Sequence, residues 1–135
     1  MGHWQELDHT ADIALRVWGD DLADLFITAA RGMFALVVEG LADVAPERAF
    51  PLALDAPDVE TLLVDWLNEL LYLQEVENVV LVAFDFETLT LTTLRAQVRG
   101  GEFPAYRAYI KAATYHNLAV VATPEGYQVE IVLDT

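Results

Sequence analysis

The first third of the chain shows a strand pattern followed at once by a helix pattern. Apolar residues recur at every second position from Ile13 to Val17, which predicts a half-buried strand that Gly19 and Asp20 end. Beyond it, apolar residues follow the i, i+3, i+4 spacing of one helix face, and Asp20 or Asp21 can cap that helix. The face consists of Leu22, Leu25, Phe26, Ala29, Ala30, Met33 and Phe34. We therefore expect an amphipathic helix directly after the strand.

A second helix is predicted from Val59 to about Gln74, with Asp58 as its N-cap. A short strand over residues 50–54 precedes it, and Pro51 indicates an edge position because proline cannot donate to a ladder. The apolar stripe of the helix consists of Leu62, Leu63, Trp66, Leu67, Leu70 and Leu71, widened by Val64 and Leu73. A helix this apolar is typical of the centre of a core, packed against a sheet.

From Val79 onward, β-branched and aromatic residues in alternation predict a series of strands. Their expected ranges are residues 79–86, 88–98, 106–115, 118–122 and 127–133. Gly100 and Gly101, and the run Pro124, Glu125 and Gly126, provide turn chemistry and favour hairpins. The pattern predicts an α+β fold in which two helices pack on one face of a mainly antiparallel or mixed sheet.

Length and composition favour one domain over residues 1–135. A chain of 135 residues that is 55% hydrophobic can build one core, and no repeat or linker divides it. Its apolar runs are broken before the roughly 18 residues that a membrane-spanning helix needs. The N-terminus lacks the basic and apolar regions of a secretory signal. We therefore expect no membrane association and a cytoplasmic location.

The chain is strongly acidic and has no cysteine. Twenty-two acidic against seven basic residues give a formal net charge of −15, which disfavours direct binding to RNA or DNA. The same charge favours a divalent cation or a basic partner surface, although acidity also serves solubility alone. Without cysteine, a metal site must use carboxylates, histidines or backbone oxygens.

Two acidic positions near the ends of the chain are candidate metal ligands. Residues 6–12 hold three carboxylates, a histidine and a threonine, and Asp12 ends this segment at the start of the first predicted apolar strand. Asp134 ends the last predicted strand, followed by the backbone oxygens of Thr135. Hard cations such as Ca²⁺ take such oxygen ligands. The alternatives are an ordinary turn around His9 and a frayed terminus.

Lys111 is the only lysine of the chain and stands in an otherwise apolar and aromatic segment. It could balance a carboxylate pair or present a cation to a partner, or simply extend its ammonium into water. His116 and His9 are candidates for supporting roles around the same centre. The sequence contains no Gly-rich phosphate loop, no GxSxG elbow and no HExxH pair.

The residues from Asp8 to Ile13 carry a His-Thr-Ala-Asp motif, and with the Arg16 to Gly19 strand end they resemble the opening of the archease family. The resemblance continues over the whole chain in ordered segments. These are residues 29–34, residues 62–72, residues 110–116 and residues 132–135. Two departures are Ala112-Ala113 after the lysine, where the family usually has Ala-Val or Ala-Ile, and the Leu133-Asp134-Thr135 ending, where it often has Phe-Asp-Ile.

The resemblance implies a non-catalytic protein cofactor that activates an RtcB-type RNA ligase in tRNA splicing or RNA repair. Such proteins promote guanylylation of the ligase and sustain its turnover, and bind no nucleotide of their own. The family's metal-site residues match Asp12 and Asp134, with Thr135 adjoining the ion, and its lysine matches Lys111. The expected cofactor is a divalent cation, either calcium or magnesium or manganese.

Two other functions are compatible with the same residues. A metal-dependent hydrolase could use Asp12 and Asp134 as ligands and His9 or His116 as acid or base. A general chaperone-like binder is the third alternative. The hydrolase would act without a partner, whereas the activator would not.

Overall fold

The computed structural model describes residues 1–7 and 12–135. In this part of the chain there are ten strands, two α-helices and a 3-10 turn at Leu41–Asp43. The helices are α1 (Leu22–Val37) and α2 (Val59–Glu77). The strands are β1 (His3–Leu7), β2 (Ile13–Gly19), β3 (Val38–Glu39), β4 (Arg48–Asp55), β5 (Val80–Leu89), β6 (Thr93–Gly101), β7 (Ala105–Tyr106), β8 (Ala112–Thr114), β9 (Val121–Thr123) and β10 (Gly126–Asp134).

All strand pairs in the described part of the chain are antiparallel, and they form three sheets. The largest has the order β1-β2-β10-β8, with β9 also paired to β10. A three-stranded sheet has the order β4-β6-β5, and β3 pairs with β7. Both helices contact the largest sheet and the three-stranded sheet. The predicted α+β class is therefore confirmed, although the strands are divided among three sheets.

Both helices begin where the sequence predicts, because an aspartate caps each one. The Asp21 carboxylate accepts a hydrogen bond from the Asp24 N–H at 2.8 Å, and Asp58 accepts one from the Thr61 N–H at 2.8 Å. Helix α2 extends three residues beyond its predicted end. It stops at Asn78, which takes the left-handed conformation with φ of 57° that asparagine tolerates.

Helix α2 lies at the centre of one apolar cluster that reaches from β2 to β10. Trp66 is fully buried on this helix, and its indole N–H donates to the Phe26 carbonyl at 3.0 Å. Its ring also packs against Phe84 and Phe86, at centroid distances of 5.7 Å and 5.2 Å. The apolar stripe predicted for α2 is thus the contact surface between the helices and the three-stranded sheet.

The predicted edge strand at Pro51 is confirmed, but the predicted turn at Gly100 and Gly101 is wrong. Strand β4 lies at the edge of its sheet, whereas both glycines continue β6. A Cβ at Gly100 would lie 2.0 Å from the Val80 carbonyl oxygen, so glycine serves a close backbone approach. The hairpin turns at residues 90–92 instead, where the Thr90 hydroxyl accepts N–H bonds from Thr92 and Thr93.

The continuous strand predicted over residues 106–115 is also wrong. The segment contributes β7 to the pair with β3 and β8 to the largest sheet. Between these two strands the Arg107 N–H donates to the Val37 carbonyl at the end of α1, at 2.7 Å. The segment therefore passes from one sheet to another on its way from β7 to β8. The strand predicted over residues 118–122 begins later, at Val121.

Neither described helix is long and apolar enough to cross a membrane.

Candidate functional site

The first and last predicted strands are neighbours in the largest sheet. The start of β2 and the end of β10 lie at the same end of that sheet. Strands β2 and β10 pair in a register that runs from Tyr127 opposite Gly19 to Leu133 opposite Ile13. Asp12 directly precedes β2 and Asp134 is the last residue of β10, so each lies one position beyond this last pair. Directly opposed residues of an antiparallel pair have Cα atoms about 4.5 to 5.5 Å apart. The structure therefore places two acidic residues that are far apart in sequence at the same end of two paired strands.

Lys111 joins this strand end through its backbone. Its N–H donates to the Asp134 carbonyl at 2.8 Å, and Asp134 pairs with Ala112 at the start of β8. The lysine side chain is exposed, and it makes no ion pair within residues 1–7 and 12–135. Asp12, Lys111 and Asp134 thus occupy the ends of three adjacent strands. We call these three residues the strand-end cluster.

The other predicted residues differ in their relation to the cluster. Thr135 directly follows Asp134 and is exposed. His116 lies in an exposed turn beyond Thr114, which pairs with Val132, so the chain there runs away from Asp134. Its ring nitrogen contacts the Asn117 amide at 3.4 Å. His9 lies outside the described residues, and supporting roles for both histidines stay predictions.

The donor set at the strand ends consists of oxygens. The carboxylates of Asp12 and Asp134 and the backbone oxygens of Thr135 are hard ligands of the kind that Ca²⁺, Mg²⁺ and Mn²⁺ accept. Among the side chains of the described segments, no group of three His, Asp or Glu could hold a metal ion. A cation bound here would therefore need backbone oxygens or water in addition to the two aspartates.

Hydrogen bonds from helix α2 hold the segment that carries Lys111. The sequence did not predict this contact between the helix and the segment. We call residues 106–120 the strap. The Gln74 amide donates to the Tyr106 hydroxyl at 2.7 Å near one end, and Glu60 accepts the Val120 N–H at 2.9 Å at the other. Between them, Asn68 exchanges two hydrogen bonds with the backbone of one strap residue. The strap therefore runs antiparallel to α2.

Tyr115 is a further strap contact, and its hydroxyl donates to the Asp65 carboxylate at 3.2 Å. Burial raises the pKa of the Tyr115 hydroxyl above its ordinary value, and the negative charge of Asp65 adds to the rise. No local signal marks these α2 residues, because Asp65 and Asn68 are two of several polar positions on the helix.

The groove of about 500 Å³ on the surface lies elsewhere. It is lined by residues of β1, α1, β5 and the turn after α1, and no member of the strand-end cluster lines it. The fold and site define a small α+β protein whose candidate acidic and basic residues lie at the ends of three adjacent strands.

The matching family profile is that of the Archease protein family (MTH1598/TM1083), which covers residues 4–135. Protein archease of Methanosarcina acetivorans is 34% identical, over 97% of this chain and 94% of that protein. Protein archease of Archaeoglobus fulgidus is 36% identical, over 95% of this chain and 96% of that protein. The chain belongs to the archease family.

Two solved structures share the fold. The solution structure of Methanobacterium thermoautotrophicum protein 1598 is similar with a TM-score of 0.80 and 24% identity, covering 98% of each chain. A crystal structure from Thermotoga maritima, described as "an archease, possible chaperone", has a TM-score of 0.67 at 19% identity. It covers 97% of this chain and 96% of its own. These relatives are named as archeases or by number, and not as enzymes.

Proposed function

We propose that this chain is a non-catalytic activator of an RtcB-type RNA ligase and that the strand-end cluster is the surface that acts on the ligase. The observation that supports the proposal is the register of β2 and β10, whose last pair is followed by Asp12 on one side and Asp134 on the other, with the Lys111 N–H bonded to Asp134. The archease family resemblance reaches the same three residues through its motifs. Guanylylation of the ligase and repeated turnover are the steps that the activator promotes.

The charges at the strand ends support a bound cation. Like charges on neighbouring strands repel each other, so Asp12 and Asp134 gain from a positive group between or beside them. Lys111 can supply part of that charge, and a divalent cation supplies more, with oxygen donors suited to it. When bound, the cation would give the acidic surface a hard positive centre for the ligase. Calcium, magnesium and manganese all fit this donor set.

Net charge supports a basic partner rather than direct binding to nucleic acid. A formal charge of −15 repels phosphate backbones and attracts the basic cleft in which an RNA ligase holds its substrates. In this proposal the activator binds the protein component, and the ligase alone binds nucleotide and RNA. Whether the reaction serves tRNA splicing or RNA repair depends on the ligase.

The direct test is multiple-turnover RNA ligation by an RtcB-type ligase with and without this chain. We expect the wild-type chain to raise the number of turnovers. Asp12→Asn, Asp134→Asn and Lys111→Gln should each reduce the stimulation by about tenfold or more, because each removes a charged group from the cluster. Turnover is measured with labelled RNA ends.

Two matched controls remove the same charges elsewhere. Asp43→Asn changes an exposed carboxylate in the 3-10 turn, and Arg99→Gln changes an exposed cation on β6. Both should stimulate as the wild type does. Undiminished stimulation by all three cluster variants would refute the proposal.

Two further candidate functions can be tested with the same purified protein. A metal-dependent hydrolase at the cluster would act alone on phosphoesters with Mg²⁺ or Mn²⁺, whereas the activator should show no such activity. General chaperone activity, which the description of the Thermotoga maritima structure suggests for that protein, would suppress aggregation of unrelated clients.

A further inference from the structure

Strand β8 is only three residues long, and its two edges are satisfied differently. One edge pairs with β10, where Ala113 lies opposite Leu133. On the other edge, facing α2, a side chain takes the place of a strand. The Asn68 carboxamide oxygen accepts the Ala113 N–H at 2.8 Å, and its amide donates to the Ala113 carbonyl at 3.2 Å. A carboxamide has the donor and acceptor of a peptide group, so it completes the ladder.

Burial makes this pairing consequential. Ala113 is 4% exposed, so neither its N–H nor its carbonyl has ready access to water. An unpaired backbone group in such a place costs as much as a lost hydrogen bond, and removal of Asn68 would leave two. Asn68 directly follows the fully buried Leu67 on α2, so it projects from a well-packed part of the helix.

Ala113, the residue that Asn68 binds, is next to the strand-end cluster. Lys111 lies two positions before Ala113, and its N–H donates to the Asp134 carbonyl. Strand β8 pairs with β10 over three residues, so its hold on the sheet is short. If the outer edge of β8 loosened, Lys111 and the end of β10 would separate. The other described bonds from α2 to the strap hold Tyr106, Tyr115 and Val120, farther from Lys111 along the chain.

We propose that Asn68 is a positioning residue that sets Lys111 relative to Asp134 and so keeps the cluster in its active arrangement. This inference rests on the proposed function, because it assigns Asn68 to the same surface. Asn68 acts through the backbone of β8 and touches neither the ligase nor a metal.

The test combines a measurement on the protein alone with one on the ligase. Amide hydrogen exchange of Lys111 and Ala113 is measured for the wild type, Asn68→Ala and Asn68→Asp. Asn68→Ala should speed exchange at Ala113 by at least about tenfold while leaving the centre of α2 protected. Asn68→Asp retains the acceptor for the Ala113 N–H and should restore much of its protection. The matched control is Gln74→Leu, which removes the strap contact at Tyr106.

The ligase assay then separates positioning from stability. Asn68→Ala should lower the maximal stimulation at saturating activator by about tenfold, whereas Asn68→Asp recovers part of it and Gln74→Leu retains it. Faster exchange with full maximal stimulation would overturn the proposal, as would native exchange at Ala113. If Asn68→Ala does not fold, Asn68→Leu, which removes both hydrogen bonds and keeps a side chain of similar size, decides by the same two measurements.

The two proposals fail in different ways. A wild-type chain that does not stimulate the ligase overturns the proposed function and, with it, the use that we assign to the cluster. The exchange rates of Ala113 and Lys111, measured without ligase, still decide whether Asn68 holds the strand end.

Discussion

Tyr115 is a titratable strap residue in contact with α2. Although the residue is 54% exposed, its hydroxyl donates to the Asp65 carboxylate. Burial of the hydroxyl is the larger cause of its raised pKa, and the charge of Asp65 is the next. Both effects penalise the tyrosinate, which would lie beside a carboxylate with no proton left to share. The ionisation of this group therefore reports on the contact between the strap and α2.

We predict that one of the five tyrosines ionises later than the ordinary value of 10.0 on alkaline titration. The pKa of Tyr115 is raised in the folded state, so this contact stabilises the fold below pH 10 and is lost as the pH rises through the raised pKa. Absorbance at 295 nm measures the titration. Tyr115→Phe should remove the late component, and Asp65→Asn should move it to lower pH. Tyr72→Phe, an exposed tyrosine of α2, should retain it.

Single residues of the site differ in how far the sequence reveals them. Asp12 and Asp134 stand at the limits of apolar strands, and Lys111 is the only lysine, so each contrasts with its neighbours. Asn68 shows no such contrast, because a polar residue on a helix is ordinary until the backbone that crosses it is known. Its role depends on a strand 45 residues away, which no local pattern specifies.

At the scale of elements, the aspartate caps fix where both helices begin. Hydrogen bonds from the Thr61 side chain and N–H lower the pKa of Asp58. Burial alone would raise the pKa of Asp24 in the first turn of α1, but hydrogen bonds from the Asp20 and Gly2 backbones outweigh it and leave the pKa lowered. In both cases the folded state favours the ionised carboxylate.

Acid should therefore weaken the helix starts in a way that a neutral cap does not. A lowered folded pKa means that the stabilisation is complete above the ordinary value of 3.8 and is lost as the pH falls through the folded pKa. We predict that the unfolding free energy of Asp58→Ser falls less between pH 5 and pH 3 than that of the wild type, because serine caps without titrating. Urea unfolding at each pH measures this, and Asp43→Asn is the control. Equal falls for Asp58→Ser and the wild type would contradict the prediction.

The elements that the sequence predicts correctly carry local signals for where they begin and which face is buried. Helices α1 and α2 have aspartate caps and long apolar faces, and β2 has strict alternation. The errors arise where long-range packing decides. Gly100 has the composition of a turn, but the approach of the Val80 backbone keeps it in a strand. The strand predicted over residues 106–115 is divided because β7 and β8 belong to different sheets.

At the scale of the whole molecule, negative charge exceeds what ion pairs can offset. The described side chains form three ion pairs, Arg16 with Glu130, Arg48 with Glu77 and Arg95 with Asp55. Such exposed pairs each contribute about 1 kcal/mol or less. The formal net charge of −15 leaves a repulsive field over the surface that opposes the compact state. Screening should therefore stabilise the fold more than it weakens these pairs.

We expect added NaCl to raise the Tm by several degrees, which corresponds to an increase in the unfolding free energy on the order of 1 kcal/mol. The Debye length falls from about 30 Å at 0.01 M to about 8 Å at 0.15 M, which screens distant carboxylates from one another. One cooperative transition is expected throughout, because a single apolar cluster joins the sheets and helices. Scanning calorimetry measures both. A Tm that falls with salt would show that the ion pairs outweigh the repulsion.

A bound cation should be distinguishable from this general screening. At constant ionic strength, replacing part of the NaCl by CaCl₂ should raise the Tm further, because an ion that binds only the folded chain adds RT ln(1 + [L]/Kd), about 2.7 kcal/mol at a hundredfold excess over Kd. The double variant Asp12→Asn/Asp134→Asn should lose this increment. The control Asp43→Asn/Asp85→Asn removes the same charge from exposed positions outside the cluster and should keep it. Equal increments in both double variants would mean that calcium acts on the overall field and not at the strand ends.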